Sequence, residues 1–294
     1  MPRNVYPISQ GEAIRYRLAR DIQVMRKWSV AKRTVTKYLR RNLEIRRTGV
    51  GESLLIVANG PSAERLPTGF VGEFRAQGGS VMGMNWAHLN PALAGAGIDY
   101  YLSADRRMVE NSEKASGLMK YLKEQKPIFG FVPEMRIQKW EELLPEISFI
   151  PFCHYYIKYL RMPWWGLSPL HPKAFTAHSG LHSLQMATWL GFDRVFIVGF
   201  DNSYVQEFSV TAENRLLRGR SHAGEETETF FSDGNTVNFL ERQAMLFRDY
   251  WLFCAEPVWN LDLESLTDAF EKMNPARVSS LLRGGSPAIT KLPL

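Results

Sequence analysis

Cysteine is scarce in this 294-residue chain, which has only Cys153 and Cys254. A disulfide framework is therefore not indicated, and a reducing compartment is expected. Neither cysteine has a C-x-x-C partner, and the histidines lack zinc-ligand spacing. Long apolar runs are missing as well. No stretch approaches a membrane span, and the first residues lack the apolar core of a signal peptide. The P-loop lysine is absent, because Ser62 is followed by Ala63 and Glu64, and so is the G-x-S-x-G elbow. These gaps speak against Walker-type nucleotide hydrolysis and against Ser-His-Asp hydrolysis. No Asp-x-Asp pair is present, so the sequence leaves a metal requirement open.

Acid is scarce in one place. Between residues 11 and 47 only Glu12, Asp21 and Glu44 face twelve basic residues, from Arg15 to Arg47. The whole chain has a net charge of +6 and a pI near 9.3, which points to an anionic partner. Ile14, Leu18, Ile22, Met25 and Trp28, then Val35, Leu39 and Leu43, recur at helical spacing. A basic helix with an apolar stripe suits an anionic membrane surface, or simply packs on the main body. Nucleic acid is the weaker expectation, since few aromatics interleave with the basic residues. Hydrophobic residues make up 45% of the chain and charged residues 22%, which suits a globular protein with an ample core.

What is plainly present begins at Ser53–Pro67, SLLIVANGPSAERLP. Leu54–Ala58 has the length and β-branched content of a buried strand, and Asn59-Gly60-Pro61-Ser62 is turn chemistry. The expectation is that Ser62 caps a short helix starting at Ala63. Such a turn aims backbone N–H groups and a helix dipole at one point, which makes a natural anion site, although an ordinary βα turn looks the same.

Further strands are expected at Ser80–Trp86, ending at Asn85, at Gly97–Asp105, ending at Ser103–Asp105, and at Pro127–Val132. Residues 106–124 read as a helix. Residues 145–175, rich in proline and aromatics, read as an irregular lid or acceptor-side insertion. Ser179-Gly180 opens a helix that Gly191 stops, and Val195–Phe200 is a buried strand ending at Asp201. After a polar stretch, a helix is expected near Val237–Tyr250, then strand-like Trp251–Ala255 and Val258–Asn260, and a closing helix Leu263–Met273. The tail from Gly284 reads as flexible.

This alternation implies an α/β protein, a Rossmann-like, mostly parallel sheet with helices on both faces. The expected division is a basic helical extension at 1–50, a Rossmann-like domain at 51–283 and a tail at 284–294. Asn59, Asn85, Ser103, Asp105, Asp201 and Asn260 all fall at strand ends, where such sheets bind ligands.

Taken together, ANGPS (58–62), MNWAHL (84–89), IDYYLSADRRMVE (98–110), HSGLHSLQMATWLGFDRVFIVGFDNSY (178–204) and WNLDLESL (259–266) carry a resemblance. The chain resembles the bacterial lipooligosaccharide sialyltransferases. It also resembles the wider group that includes the motility-accessory-factor flagellin glycosyltransferases and the archaeal hydroxymethylpterin pyrophosphokinases. The resemblance implies that Asn59, Gly60, Pro61 and Ser62 cradle the donor phosphate and ribose, and that Asn85 faces the donor. It implies that Ser179 and Gly180 bind the carboxylate or phosphate of an acidic sugar, and that Tyr204 helps the phosphate leave. Two departures stand out: Ser103 occupies a position where the sialyltransferases carry Asn, and Thr176 or Ala177 one where they carry Arg. The strand-end Asp105 looks more like the flagellin and pterin branches.

Sugar transfer needs a base for the acceptor hydroxyl, and His222 is that choice, with a surface-loop histidine as the plain alternative. His178 either contacts the donor or packs at the helix start. Asp105 and Asp201 are the residues that would hold magnesium if the reaction uses it. The first functional expectation is an inverting, single-displacement glycosyltransferase. Its donor would be a CMP-activated nonulosonic acid such as sialic acid, and its acceptor a glycan, glycolipid or protein. Its place would be cytoplasmic, peripheral on the inner face of the plasma membrane. The alternatives are magnesium-dependent diphosphate transfer from ATP to a small hydroxymethyl compound, or a non-catalytic membrane- or nucleic-acid-binding protein.

Overall fold

A computed structural model of the chain describes residues 10–109, 113–155, 168–173, 175, 178–202, 208–212, 216–218, 229–230 and 236–283. Its centre is an eight-stranded, all-parallel sheet: β1 (Ser53–Val57), β2 (Ser80–Met84), β3 (Tyr100–Leu102), β4 (Phe129–Pro133), β5 (Phe149–Phe152), β6 (Arg194–Val198), β10 (Val258–Asn260) and β11 (Glu271–Lys272). The order across the sheet is β11-β10-β6-β1-β2-β3-β4-β5. The chain therefore runs outward from β1 to β5, then returns to the other side of β1. That reversal puts the switch point between β1 and β6.

Strand alternation builds a core on each face. Leu55 and Val57 point to a face covered by α3 (Phe70–Ala76), α4 (Glu113–Gln125), α5 (Ile137–Leu143) and α8 (Pro275–Leu282). Leu54 and Ile56 point to the other face, covered by α6 (Ser179–Leu190) and α7 (Thr236–Tyr250). Both sets are fully buried, which explains why β1 reads as an unbroken apolar run. Gly191 ends α6 with φ +77°, a left-handed cap that glycine adopts without strain.

The basic segment forms α1 (Gln10–Lys37) and α2 (Leu39–Glu44). It is tied to the sheet edge: Asn42 donates to the Pro151 carbonyl at 3.3 Å, and Arg41 bonds Glu141 and the Phe149 carbonyl at 2.9 and 2.8 Å. Among the described residues, no helix is long and apolar enough to cross a membrane.

Several expectations are corrected. Ser62 does not cap a helix; a 3₁₀ turn spans Pro61–Arg65 with Gly60 at its cap and proline at its first position. The stretch 145–175 is not irregular throughout: it contains β5, the edge strand, where Pro151 is tolerated because an edge needs fewer ladder donors, while 156–167 and 174 lie outside the described residues. The expected helix over 106–124 is a 3₁₀ turn, Arg106–Val109, followed by α4. Trp251–Phe253 is a 3₁₀ turn rather than a strand. Leu263–Met273 is not a helix, and the closing helix is α8. The polar stretch after Asp201 carries a small antiparallel sheet, β7 (Phe208–Val210), β8 (Leu216–Arg218) and β9 (Thr229–Phe230).

Candidate functional site

Three loops meet at the carboxyl ends of the central strands. The loop after β1 lies between two clusters of different character.

The first cluster joins β2, β3 and α6. Asn85 follows β2 with φ +46°, a left-handed conformation that asparagine tolerates better than most residues. Its Oδ1 accepts the Ala104 N–H at 3.1 Å, and its Nδ2 donates to Ser179 Oγ at 2.8 Å. Its carbonyl accepts the Tyr101 hydroxyl at 2.8 Å. One side chain thus ties the end of β2 to the loop after β3 and to the first residue of α6. His178 caps that helix, its Nδ1 accepting the Gly180 N–H at 3.2 Å, so the imidazole is not protonated at this nitrogen. A side chain at Gly180 would stand 2.7 Å from the Phe200 ring, so glycine lets α6 start close to the strand ends. Asn59 completes the group. Its Nδ2 donates to the Met84 carbonyl at 3.0 Å, while its Oδ1 has no hydrogen-bond partner. Asn59, Asn85, His178 and Ser179 are all half-buried. Ser103 is buried, and Asp105 is half-buried in the following loop.

The second cluster joins β1, β6 and β10. The Ser62 N–H and hydroxyl both donate to Asp201, to Oδ1 and Oδ2, each at 2.8 Å. The Gly199 N–H donates to Ser62 Oγ at 3.0 Å. The donors of the glycine turn therefore face the protein's own carboxylate. Gly60 is required by the same packing, because a Cβ there would overlap Asp201 Oδ2 and the Gly199 carbonyl. Burial pushes the Asp201 carboxyl up, and the two Ser62 bonds pull it back. Arg65 bonds Asp262 at 2.8 Å, contacts Glu264 and lies 3.6 Å from Asp201. Ser62, Arg65, Val198, Leu261, Asp262 and Pro275 are among the residues lining a cleft of about 210 Å³ here.

The structure thus brings Asn59, Asn85, His178, Ser179 and Gly180 together. It places Gly60, Pro61, Ser62 and Asp201 on the neighbouring cluster. His222 and Tyr204 lie outside the described residues. Among the described residues no group of three or more His, Cys, Asp and Glu side chains is arranged to hold a metal. Sequence reasoning missed Arg65 and Asp262. Asp262 had a signal, since it lies two residues past the strand-end Asn260, whose Oδ1 accepts the Asp262 N–H at 3.0 Å. Arg65 had none beyond its charge.

No protein-family model matches the chain, and no curated protein matches it in sequence. Among solved structures, it is similar to the MAf glycosyltransferase from Magnetospirillum magneticum AMB-1, at 12% identity and a TM-score of 0.45. The similarity covers 78% of this chain and 34% of that protein, so the chain spans about a third of its length.

Proposed function

We infer that the chain is a nucleotide-sugar-dependent glycosyltransferase that works by a single inverting displacement. The observation that carries this reading is the Asn85–Ser179 junction. There two strand ends and a helix N-terminus meet among half-buried, uncharged side chains, with the unpaired Oδ1 of Asn59 beside them. Hydroxyl, amide and helix-dipole chemistry suits an anionic donor group, and an unpaired carbonyl oxygen suits a ribose hydroxyl. The resemblance read from the sequence supports a CMP-activated nonulosonic acid as donor and a glycan, glycolipid or protein as acceptor.

In this reading the acceptor oxygen forms a bond to the anomeric carbon as the bond from that carbon to phosphate oxygen breaks. The electron pair leaves on the phosphate, facing Ser179 and the first turn of α6, and the acceptor proton passes to His222. The acceptor side is a membrane surface on the cytoplasmic face. Arg15, Leu18, Ile22, Arg26 and Arg33 follow three- and four-residue spacing and are all exposed, as are Leu39 and Leu43. Basic and apolar side chains on one face match an anionic, acyl-chained partner.

Calorimetry with CMP, CTP and ATP, with and without magnesium, tests the reading. CMP binding without magnesium is expected, and transfer should fall at least about 100-fold in His222→Ala. Magnesium-dependent ATP binding with no CMP binding would replace this reading with diphosphate transfer. Retention on anionic vesicles, lost at high salt, checks the membrane face. Equal retention on neutral vesicles removes it.

A further inference from the structure

A group of ionisable side chains lies inside the fold, one helical turn from Ser179, and the proposed reaction does not use it. Lys173, Glu134 and His182 have 0%, 2% and 0% of their surface exposed. Lys173 Nζ contacts His182 Nε2 and lies 5.5 Å over the Phe175 ring. His182 stacks on His154 at 5.9 Å and packs on Phe152 at 4.2 Å. Glu134 Oε2 accepts the His154 N–H at 2.8 Å, and its Oε1 has no partner.

These residues come from separate segments. Glu134 follows β4, Cys153 and His154 follow β5, Lys173 lies on the chain returning past β5, and His182 is in α6. The returning segment is stitched on both sides. The Lys173 N–H donates to the Tyr155 carbonyl at 2.9 Å, and the Cys153 N–H donates to the Pro169 carbonyl at 2.6 Å. Gln185, on α6, donates to the Ser168 carbonyl at 3.1 Å. A buried amine in such a place has a cost that varies with its proton.

We propose that the Lys173–His182 contact is a proton-linked latch that positions the first turn of α6, with His178 and Ser179, against the ends of β4 and β5. Burial pulls the Lys173 ammonium down to about 7, opposed by Cys153 and Glu134. Burial also lifts the Glu134 carboxyl and pushes His154 down to about 4. His182 falls well below its ordinary value, through burial first and then Lys173, His154 and His178. Both imidazoles, buried in His182 and half-buried in His154, are therefore neutral near pH 7, and Lys173 changes charge there. As an ammonium it donates to bare Nε2 and holds the His182 proton on Nδ1. As an amine it removes the buried charge. Because its folded value is depressed, an opened form binds one more proton between pH 7 and the ordinary lysine range. Closure gains as pH rises through that window and loses the gain as pH falls to 7.

Hydrogen–deuterium exchange over residues 179–184 tests the latch without any substrate. Corrected for intrinsic exchange, protection in the full-length protein should rise about tenfold per pH unit between about 7.5 and 9.5, the slope of one proton. Lys173→Met should show no such slope, and equal slopes in the two proteins overturn the proposal. If that variant does not fold, NMR of ¹³C-labelled lysine in the wild-type protein decides: titration of Lys173 near 7 supports the latch, and titration above 9 overturns it. The consequence for Ser179 rests on the transferase reading and is followed as CMP affinity over the same pH range. A step present in wild type and lost in Lys173→Met supports the link, and identical profiles overturn it. CMP binding absent from both proteins counts against the transferase reading and leaves exchange to decide the latch.

Discussion

The two flanks of the Asn59–Ser62 turn are built from opposite chemistry. Toward α6 the turn meets amides, a hydroxyl and an imidazole capping a helix, all half-buried. Toward β10 it meets Asp201, Asp262 and Glu264 gathered round the single guanidinium of Arg65. On the acidic flank the protein supplies its own anion: Asp201 takes both donors that the turn offers through Ser62. A glycine turn after a parallel strand is therefore not by itself a ligand site, because the same donors also satisfy a neighbouring loop. The carboxylates repel a second anion, so this flank disfavours anionic ligands. The acidic flank locks the switch point, and the α6 flank keeps uncharged polar side chains half-buried.

The strongest way to break this contrast is Asp201→Ala. It strands the Ser62 N–H and hydroxyl, both buried, and takes an acceptor from Arg65. Losing two charge-assisted bonds in a buried place should cost about 3 kcal/mol in urea denaturation. A loss below about 1 kcal/mol would mean that the acidic flank does not hold the switch point.

A smaller and more divided effect is expected at Asn85, because its backbone and side chain contribute separately. Asn85→Ala removes the two side-chain bonds to Ala104 and Ser179 and puts a less tolerant residue at φ +46°, at a cost of about 2 kcal/mol in the same assay. Asn85→Gly relieves the backbone and should recover about half of that loss while leaving CMP affinity equally reduced. If glycine restored affinity as well, the side chain would have no part in the site.

How much of this was readable beforehand follows from which forces act locally. β1, β2 and β6 were legible because strands buried on both faces are unbroken apolar runs, and so the strand-end asparagines could be placed from sequence. The Asn85–Ser179 bond joins residues 94 positions apart and has no local signature. The segment 263–273 misled because Leu263, Leu266, Phe270 and Met273 have helical spacing. Its polar residues bind elsewhere: Ser265 Oγ accepts the Thr267 N–H at 3.1 Å, and Ser265 and Thr267 hydroxyls both donate to the Phe200 carbonyl. Such bonds offer the backbone an alternative to the helix, and they dock the segment on the loop after β6. Ser62 misled for the same reason, its hydroxyl being claimed by Asp201 rather than by its own helix. Lys173 gave no warning, since an isolated lysine in a proline-rich stretch reads as solvated.

Ser179→Ala should have the smallest effect on stability and is the sharpest test of the contrast. Asn85 keeps its bond to Ala104, and the half-buried opening lets water replace the lost hydroxyl, so the cost should stay below about 1 kcal/mol. CMP affinity should nevertheless fall about tenfold, since a hydroxyl facing a charged group contributes more to binding than to folding. On the acidic flank the order reverses, with Asp201→Ala costing folding far more than any CMP interaction measured in the fraction that remains folded. If Ser179→Ala instead lost stability without losing affinity, the α6 flank would be another self-satisfied junction. The two sides of the turn would then differ in charge but not in purpose.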